Sequence, residues 1–270
     1  MKEELFIRAI KKRKRRDQWF FVFLLVMGFF SLFPLFSVLY YVVSKGWPGL
    51  FAANDLISVF GTLEMTLLAL LFAAPLGIGL GFYLYETRGT RTVTVIRFIA
   101  ELLAGMPSIL VGMVVYAIVV ISTGTFSLFA GSVSLAVFVL PFLARETEDR
   151  LIASTSTLKE GALALGASNS RALLQMVLPV MKRPLLVAVL LGVIRAMGET
   201  APLIFTSLGN NFWPAGVFSP ASTLSLQIYF DALSPYTGVQ AQAWAGALIL
   251  IAMIMILFLV ARWISKGESK

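Results

Sequence analysis

The stretch KEGALALGASNSRALLQMVLP, residues 159–179, decides how this chain is read. It lies between two long apolar blocks, yet it is not a plain polar loop. Thr157-Leu-Lys-Glu160, overlapping its start, has capping-box spacing: the Thr hydroxyl can accept from the Glu160 N–H, and the Glu carboxylate can reach back. The spacing predicts a short helix over 158–165, a left-handed turn at Gly166, and fresh N-caps at Ser168, Asn169 and Ser170. A second helix over 170–178 is then stopped by Pro179. Helices this short are marginal alone in water, so Leu158, Leu163, Leu165, Leu173 and Leu174 need cover. A groove on a partner protein would supply it. So would the ends of the chain's own apolar blocks. A helix-turn-helix DNA reader is a third reading, opposed by the flanking apolar blocks and the scarcity of basic residues.

Composition explains those blocks. Of 270 residues 59% are hydrophobic and only 13% charged, about half the usual charged share, and the mean hydropathy is +0.88. This is the composition of an integral membrane protein. With no Cys and no His, disulfides, thiolate zinc sites and His-based catalysis are excluded, and no metal site is expected. No G-x-x-x-x-G-K-[ST] pattern occurs, so the chain carries no Walker-type ATP site and no catalytic site of its own is expected.

About 20 apolar residues cross a bilayer core. Six stretches qualify: 19–43, 60–84, 98–121, 126–144, 185–206 and 243–264. The first is too long for a signal-peptide core and reads as a retained anchor. The 22 Lys and Arg residues set the orientation. Eight precede the first span, and Lys45 stands alone after it. Arg88, Arg91 and Arg97 lie between spans two and three, and none between three and four. Six lie between four and five, none over 207–242, and three close the chain. The expected architecture is all-α: a basic segment 1–18, then one transmembrane domain over 19–270. Both termini are cytoplasmic, and the quoted stretch falls in a cytoplasmic loop over 145–183. The basic leader KKRKRR is then a positive-inside anchor, with no nucleic acid implied.

Of the Lys and Arg residues, only Arg195 falls deep inside a span. At 1.5 Å per residue it is about 16 Å beyond Pro184, near mid-membrane. Glu199 follows at i+4, on the same helix face. A mid-membrane charge costs about 2.5–3.5 kcal/mol and normally faces a partner or polar pathway. Either the two residues neutralise each other and lock span five, or Arg195 meets a crossing anion, for which its planar fork is suited. Glu64 in span two and Glu101 at the start of span three, near Pro107 and Ser108, are interfacial charges or parts of such a path. Gly77 and Gly81 give span two a G-x-x-x-G packing face. The stretch STLSLQIYFDAL from Ser222 can lie at the interface or re-enter, and is a candidate contact for a binding protein.

Glu160-Gly161-Ala162, then Gly166, then Met176-Val-Leu178-Pro179 resembles the EAA loop of ABC importer permeases, with Gly161 for Ala and Met176 for Ile. RAMGETAP from Arg195 and LAGMPSI from Leu103, which includes Pro107 and Ser108, resemble the A-type permease subunits of phosphate-specific ABC importers, the PstA-like family. That resemblance covers essentially the whole chain. It implies the type I importer permease fold in the inner membrane. It implies a heterodimer with a C-type permease subunit, a dimer of ATP-binding subunits that hold ATP and Mg, and an extracytoplasmic phosphate-binding protein. Glu160–Pro179 would be the coupling segment that docks on the ATPase, and Arg195 and Glu199 match positions implicated in transport. The competing readings are an ABC permease for sulfate or molybdate and an ATP-independent anion transporter.

Overall fold

The computed structural model describes residues 2–50 and 53–266. Among the described residues, nine helices carry the fold: α1 (Lys2–Gly46), α2 (Ala53–Glu86), α3 (Arg91–Gly105), α4 (Ser108–Thr123), α5 (Leu128–Ala164), α6 (Asn169–Met197), α7 (Ala201–Thr206), α8 (Leu224–Ala232) and α9 (Thr237–Lys266). Five are long and apolar enough to cross a membrane, and six crossings result if α3 and α4 count as one. Helices suit an apolar solvent because every interior backbone group bonds within its own segment.

The centre is built by α2 against α5, with α6, α7 and α8 closing around them. Met65, Ala69, Ala73, Leu135, Val139, Leu143 and Leu203 are buried together there. The G-x-x-x-G reading of α2 holds. A Cβ on Gly77 would come within 2.7 Å of the Leu143 Cβ, and one on Gly81 within 2.6 Å of the Ala144 carbonyl oxygen. Gly81→Ala gains about 1 kcal/mol of helix propensity. Forcing apart two packed backbones costs about 1–3 kcal/mol or more. The variant should therefore lower the thermal midpoint of the purified protein. An unchanged or raised midpoint would show that α2 and α5 can separate freely.

Four expectations change. The first helix starts well before the span at 19–43, because α1 runs from Lys2 through the basic segment straight into the apolar run. The third span, expected continuous over 98–121, is broken: α3 and α4 meet at 101°. Pro107 disfavours helical geometry at the residue before it, and Met106 is extended (ψ 137°).

The fifth span does not run unbroken to 206. α6 ends at Met197 and α7 resumes at Ala201, because Pro202 has no N–H to give the Gly198 carbonyl.

The fourth change concerns the quoted stretch. Its first half is not a separate short helix but the last turns of the long α5. Thr157 and Glu160 lie inside that helix, where intrahelical bonds already satisfy the amides a capping box would serve. Nor does Pro179 stop the second half. Residues Ala172–Val177 form a π-helical segment, in which the Leu178 N–H reaches the Leu173 carbonyl. That segment absorbs the disturbance of Pro179, and α6 continues. Of the loop expected over 145–183, only the turn around Gly166 is non-helical. Gly166 itself has φ +86°, the left-handed conformation expected of it.

At the end of the bundle away from the arginines, the segment after α7 folds back over α5. The Ser127, Leu128 and Phe129 amides donate to the Thr206, Ser219 and Val217 carbonyls. α8 then re-enters: Leu224, Ser225, Leu226 and Gln227 are buried. The first half of the stretch from Ser222 is thus buried inside the chain, and this buried half offers no free surface to a binding protein.

Candidate functional site

Arg195 lies two residues before the end of α6. Its guanidinium carbon sits 4.8 Å from the ring centroid of Phe138 and 5.1 Å from that of Phe142. These phenylalanines are four apart on α5, hence on one helix face, and their rings hold the cation by its π-facing side. Arg195 remains exposed to a cavity of about 290 Å³, whose walls include Arg97, Glu101, Phe142, Arg145 and Glu148. An adjoining cavity shares Arg97, Arg145 and Glu148 and extends to Arg88 and Asp149. Together they form a polar track from Arg195 to the basic end of the bundle.

The charges in the track are paired, with one exception. Glu148, 4% exposed, takes Arg97 closely and Arg88 at 3.6 Å. Arg145 pairs with Glu101 at 2.8 Å and with Asp149 at 3.7 Å. Arg195 makes no ion pair among the described residues; its partners are rings. Four arginines thus face three carboxylates, and the unpaired one is the deepest. A guanidinium with a free hydrogen-bonding edge, framed by aromatic faces, is suited to a bidentate oxyanion. The paired arginines below it can exchange their carboxylates for an anion passing through.

The Arg195–Glu199 ion pair, one of the two arrangements open to these residues, does not form. α6 ends between them at Gly198, so the i, i+4 register is lost. Glu199 instead lies close to Ser108 at the N-terminal end of α4, where the helix dipole favours a negative charge. The Glu199 carbonyl accepts from the Ser225 hydroxyl at 2.8 Å, so buried α8 holds the break. Glu101 lines the cavity and Ser108 meets Glu199, with Pro107 making the bend beside it. Glu64 stands apart, exposed on α2 beside Phe60 and Leu67. Arg97, Arg145, Glu148, Phe138 and Phe142 join the site only in the folded chain. The one signal for them in the sequence is RETED at 145–149, whose three-residue spacing puts Arg145 and Glu148 on one face.

The turn between α5 and α6 is a second feature. Ser168 caps α6, accepting from the Arg171 N–H, and Ala167 N–H bonds to the carbonyl of buried Ala162. Leu165 at its tip is 90% exposed, and Leu158, Leu163, Leu174 and Met176 are exposed around it. Glu160, Gly161 and Pro179 are exposed as well. Leu173 and Leu178 pack inward against Tyr85, Val177 and Met181. Both covers considered for these leucines are thus in use or on offer. Glu86 on α2 braces the turn, accepting from Lys159 at 2.6 and 2.8 Å and from Asn169 at 2.7 Å. The result is an apolar tip on a stiff base.

A family model described as "Binding-protein-dependent transport system inner membrane component" matches residues 73–270. The phosphate transport system permease protein PstA of Xylella fastidiosa (strain 9a5c) is 36% identical over 238 residues, with 82% of each chain covered. That of Yersinia pestis is 34% identical, covering 93% of this chain and 90% of its own. The probable counterpart from Methanocaldococcus jannaschii is 30% identical, covering 92% and 94%. Among solved structures, the inward-facing MetNI methionine ABC transporter is similar at TM-score 0.62 and 23% identity, covering 79% of this chain and 95% of that one. A bacterial ABC transporter involved in import of the acidic polysaccharide alginate is similar at TM-score 0.60 and 14% identity, covering 97% and 98%. The fold is thus that of type I ABC importer permeases.

Proposed function

Because the chain belongs to the binding-protein-dependent transport system inner membrane component family, we propose that its arginine track conducts the substrate of an importer. The chain is a multi-pass inner-membrane permease subunit of a phosphate ABC importer. Arg195 receives inorganic phosphate near mid-membrane, and Arg97 and Arg145 pass it toward the basic end. By the distribution of Lys and Arg, that end is cytoplasmic. One observation carries this reading: Arg195 is unpaired, ring-framed and open to the cavity.

An arginine exposed at that depth cannot face lipid without a cost of several kcal/mol. A second permease subunit, of the C type, therefore covers this side of the bundle, and the path runs between the two. Phosphate arrives from an extracytoplasmic binding protein. ATP with Mg is hydrolysed on two separate subunits, against which the tip from Glu160 to Pro179 docks. Glu199, at the break held by α8, sits where the path opens.

The test is labelled-phosphate uptake in cells lacking the gene. Restoration by this chain, loss of uptake when the ATP-binding partner's Walker lysine is replaced, and indifference to excess sulfate are the expected results. Uptake inhibited equally by sulfate would replace phosphate with oxyanions at large, and uptake without a working ATPase would remove the ABC mechanism.

A further inference from the structure

At the end of the bundle away from the arginine track, three buried oxygens have no partner among the described residues. Asp55 in the first turn of α2 is 2% exposed, and Gln227 on α8 is 7% exposed. The Gln227 amide nitrogen donates to one Asp55 oxygen at 3.0 Å. The other Asp55 oxygen, the Gln227 oxygen and one oxygen of half-buried Asp231 are buried without a hydrogen bond. Gln227 and Asp231, four apart on one face of α8, line a cavity of about 440 Å³ together with Asn210 and Asn211.

Buried acceptors are normally satisfied, and a buried carboxylate keeps its charge only beside a positive one. The chain does not provide one. No Lys or Arg occurs between Lys45 and Arg88, nor between Arg195 and Arg262, and Lys45 itself is exposed. A single hydrogen-bond donor cannot answer three acceptors, whereas an oxygen-coordinated cation can.

We infer that Asp55, Gln227 and Asp231 form a site for a hard divalent cation of the Mg²⁺ or Ca²⁺ class, bridging the start of α2 to α8. Asn210 and Asn211 stand at its mouth and supply further carbonyl oxygens. On the orientation proposed above, the site faces the extracytoplasmic side, where such ions are freely available. Its occupancy fixes α8, whose Ser225 holds the Glu199 carbonyl at the helix break. The cation thus steadies the break from the side opposite the arginine track. Binding can be measured without transport, so its failure is distinct from failure of the phosphate reading.

The experiment titrates Tb³⁺ alone into the purified, nucleotide-free importer, reading luminescence sensitised by aromatic rings such as Tyr229, two residues from both Gln227 and Asp231. The inference expects a saturable signal that millimolar Ca²⁺ or Mg²⁺ displaces. Asp231→Asn should reduce it at least about tenfold, and Asp149→Asn at the other end should leave it intact. A signal unchanged in Asp231→Asn would overturn the site. A second reading guards against a misassembled variant: Ca²⁺ against EDTA should raise the wild-type thermal midpoint by at least about 3 °C. No rise would overturn the inference, as would a rise in the midpoint from Asp231→Asn alone, which would mean that the two carboxyls share a proton.

Discussion

Arg195→Ala reduces phosphate uptake by about a hundredfold while the protein remains in the membrane at its normal level. Hydrogen bonds to a charged partner contribute about 1.5–3 kcal/mol each in net terms, and each 1.36 kcal/mol is about tenfold in rate. Removing one bidentate interaction from the crossing state accounts for the effect. Folding should survive, because Arg195 has no ion-pair partner to strand and opens onto a cavity that Phe142 also lines. Arg195→Lys separates charge from geometry. The ammonium keeps the charge but loses the fork and the flat stacking on Phe138 and Phe142, so uptake should fall in between. The measurement is initial-rate uptake of labelled phosphate normalised to membrane abundance. Wild-type rates in Arg195→Ala would move the path away from this cavity.

Leu165→Asp stops uptake by a different route. Leu165 is 90% exposed at the tip between α5 and α6, so the isolated subunit loses no packing. A leucine buried in a partner's groove contributes about 1.5–3 kcal/mol, and central interface positions often exceed about 2 kcal/mol. A buried aspartate in its place adds a desolvation cost. The ATP-binding subunits should therefore fail to co-purify with the variant, with uptake near background and the thermal midpoint of the permease unchanged. Co-purification at the wild-type level would show that this tip is not the docking element.

What is legible in the sequence depends on how local the cause is. The left-handed turn at Gly166 and the close packing at Gly77 and Gly81 are readable because the residue type itself is the cause. Arg195 stands out as a lone charge in an apolar run. Its surroundings do not, because Phe138, Phe142, Arg145 and Glu148 come from α5 and Arg97 from α3, and only the folded bundle brings them to α6. The Arg195–Glu199 pairing fails because it assumes an unbroken helix through Gly198 and Pro202. The short helix over 158–165 fails for the opposite reason: a capping pattern implies a start where α5 simply continues. In the third span Pro107 is plain to read, yet its effect, a bend of 101°, emerges only once α4 packs against α7.

The π-helical segment Ala172–Val177 also acts as a clock. It takes one more residue into a turn than an ordinary helix would, and one residue turns an α-helix by about 100°. Everything from Leu178 to Met197 is rotated by that amount relative to the docking tip. Removing one residue from this segment, so that it winds as plain α-helix, would leave Gly166 in place and swing Arg195 off the two phenylalanines and out of the track. The angular setting between the exposed tip at Leu165 and the guanidinium of Arg195 is therefore held by a single surplus residue between them.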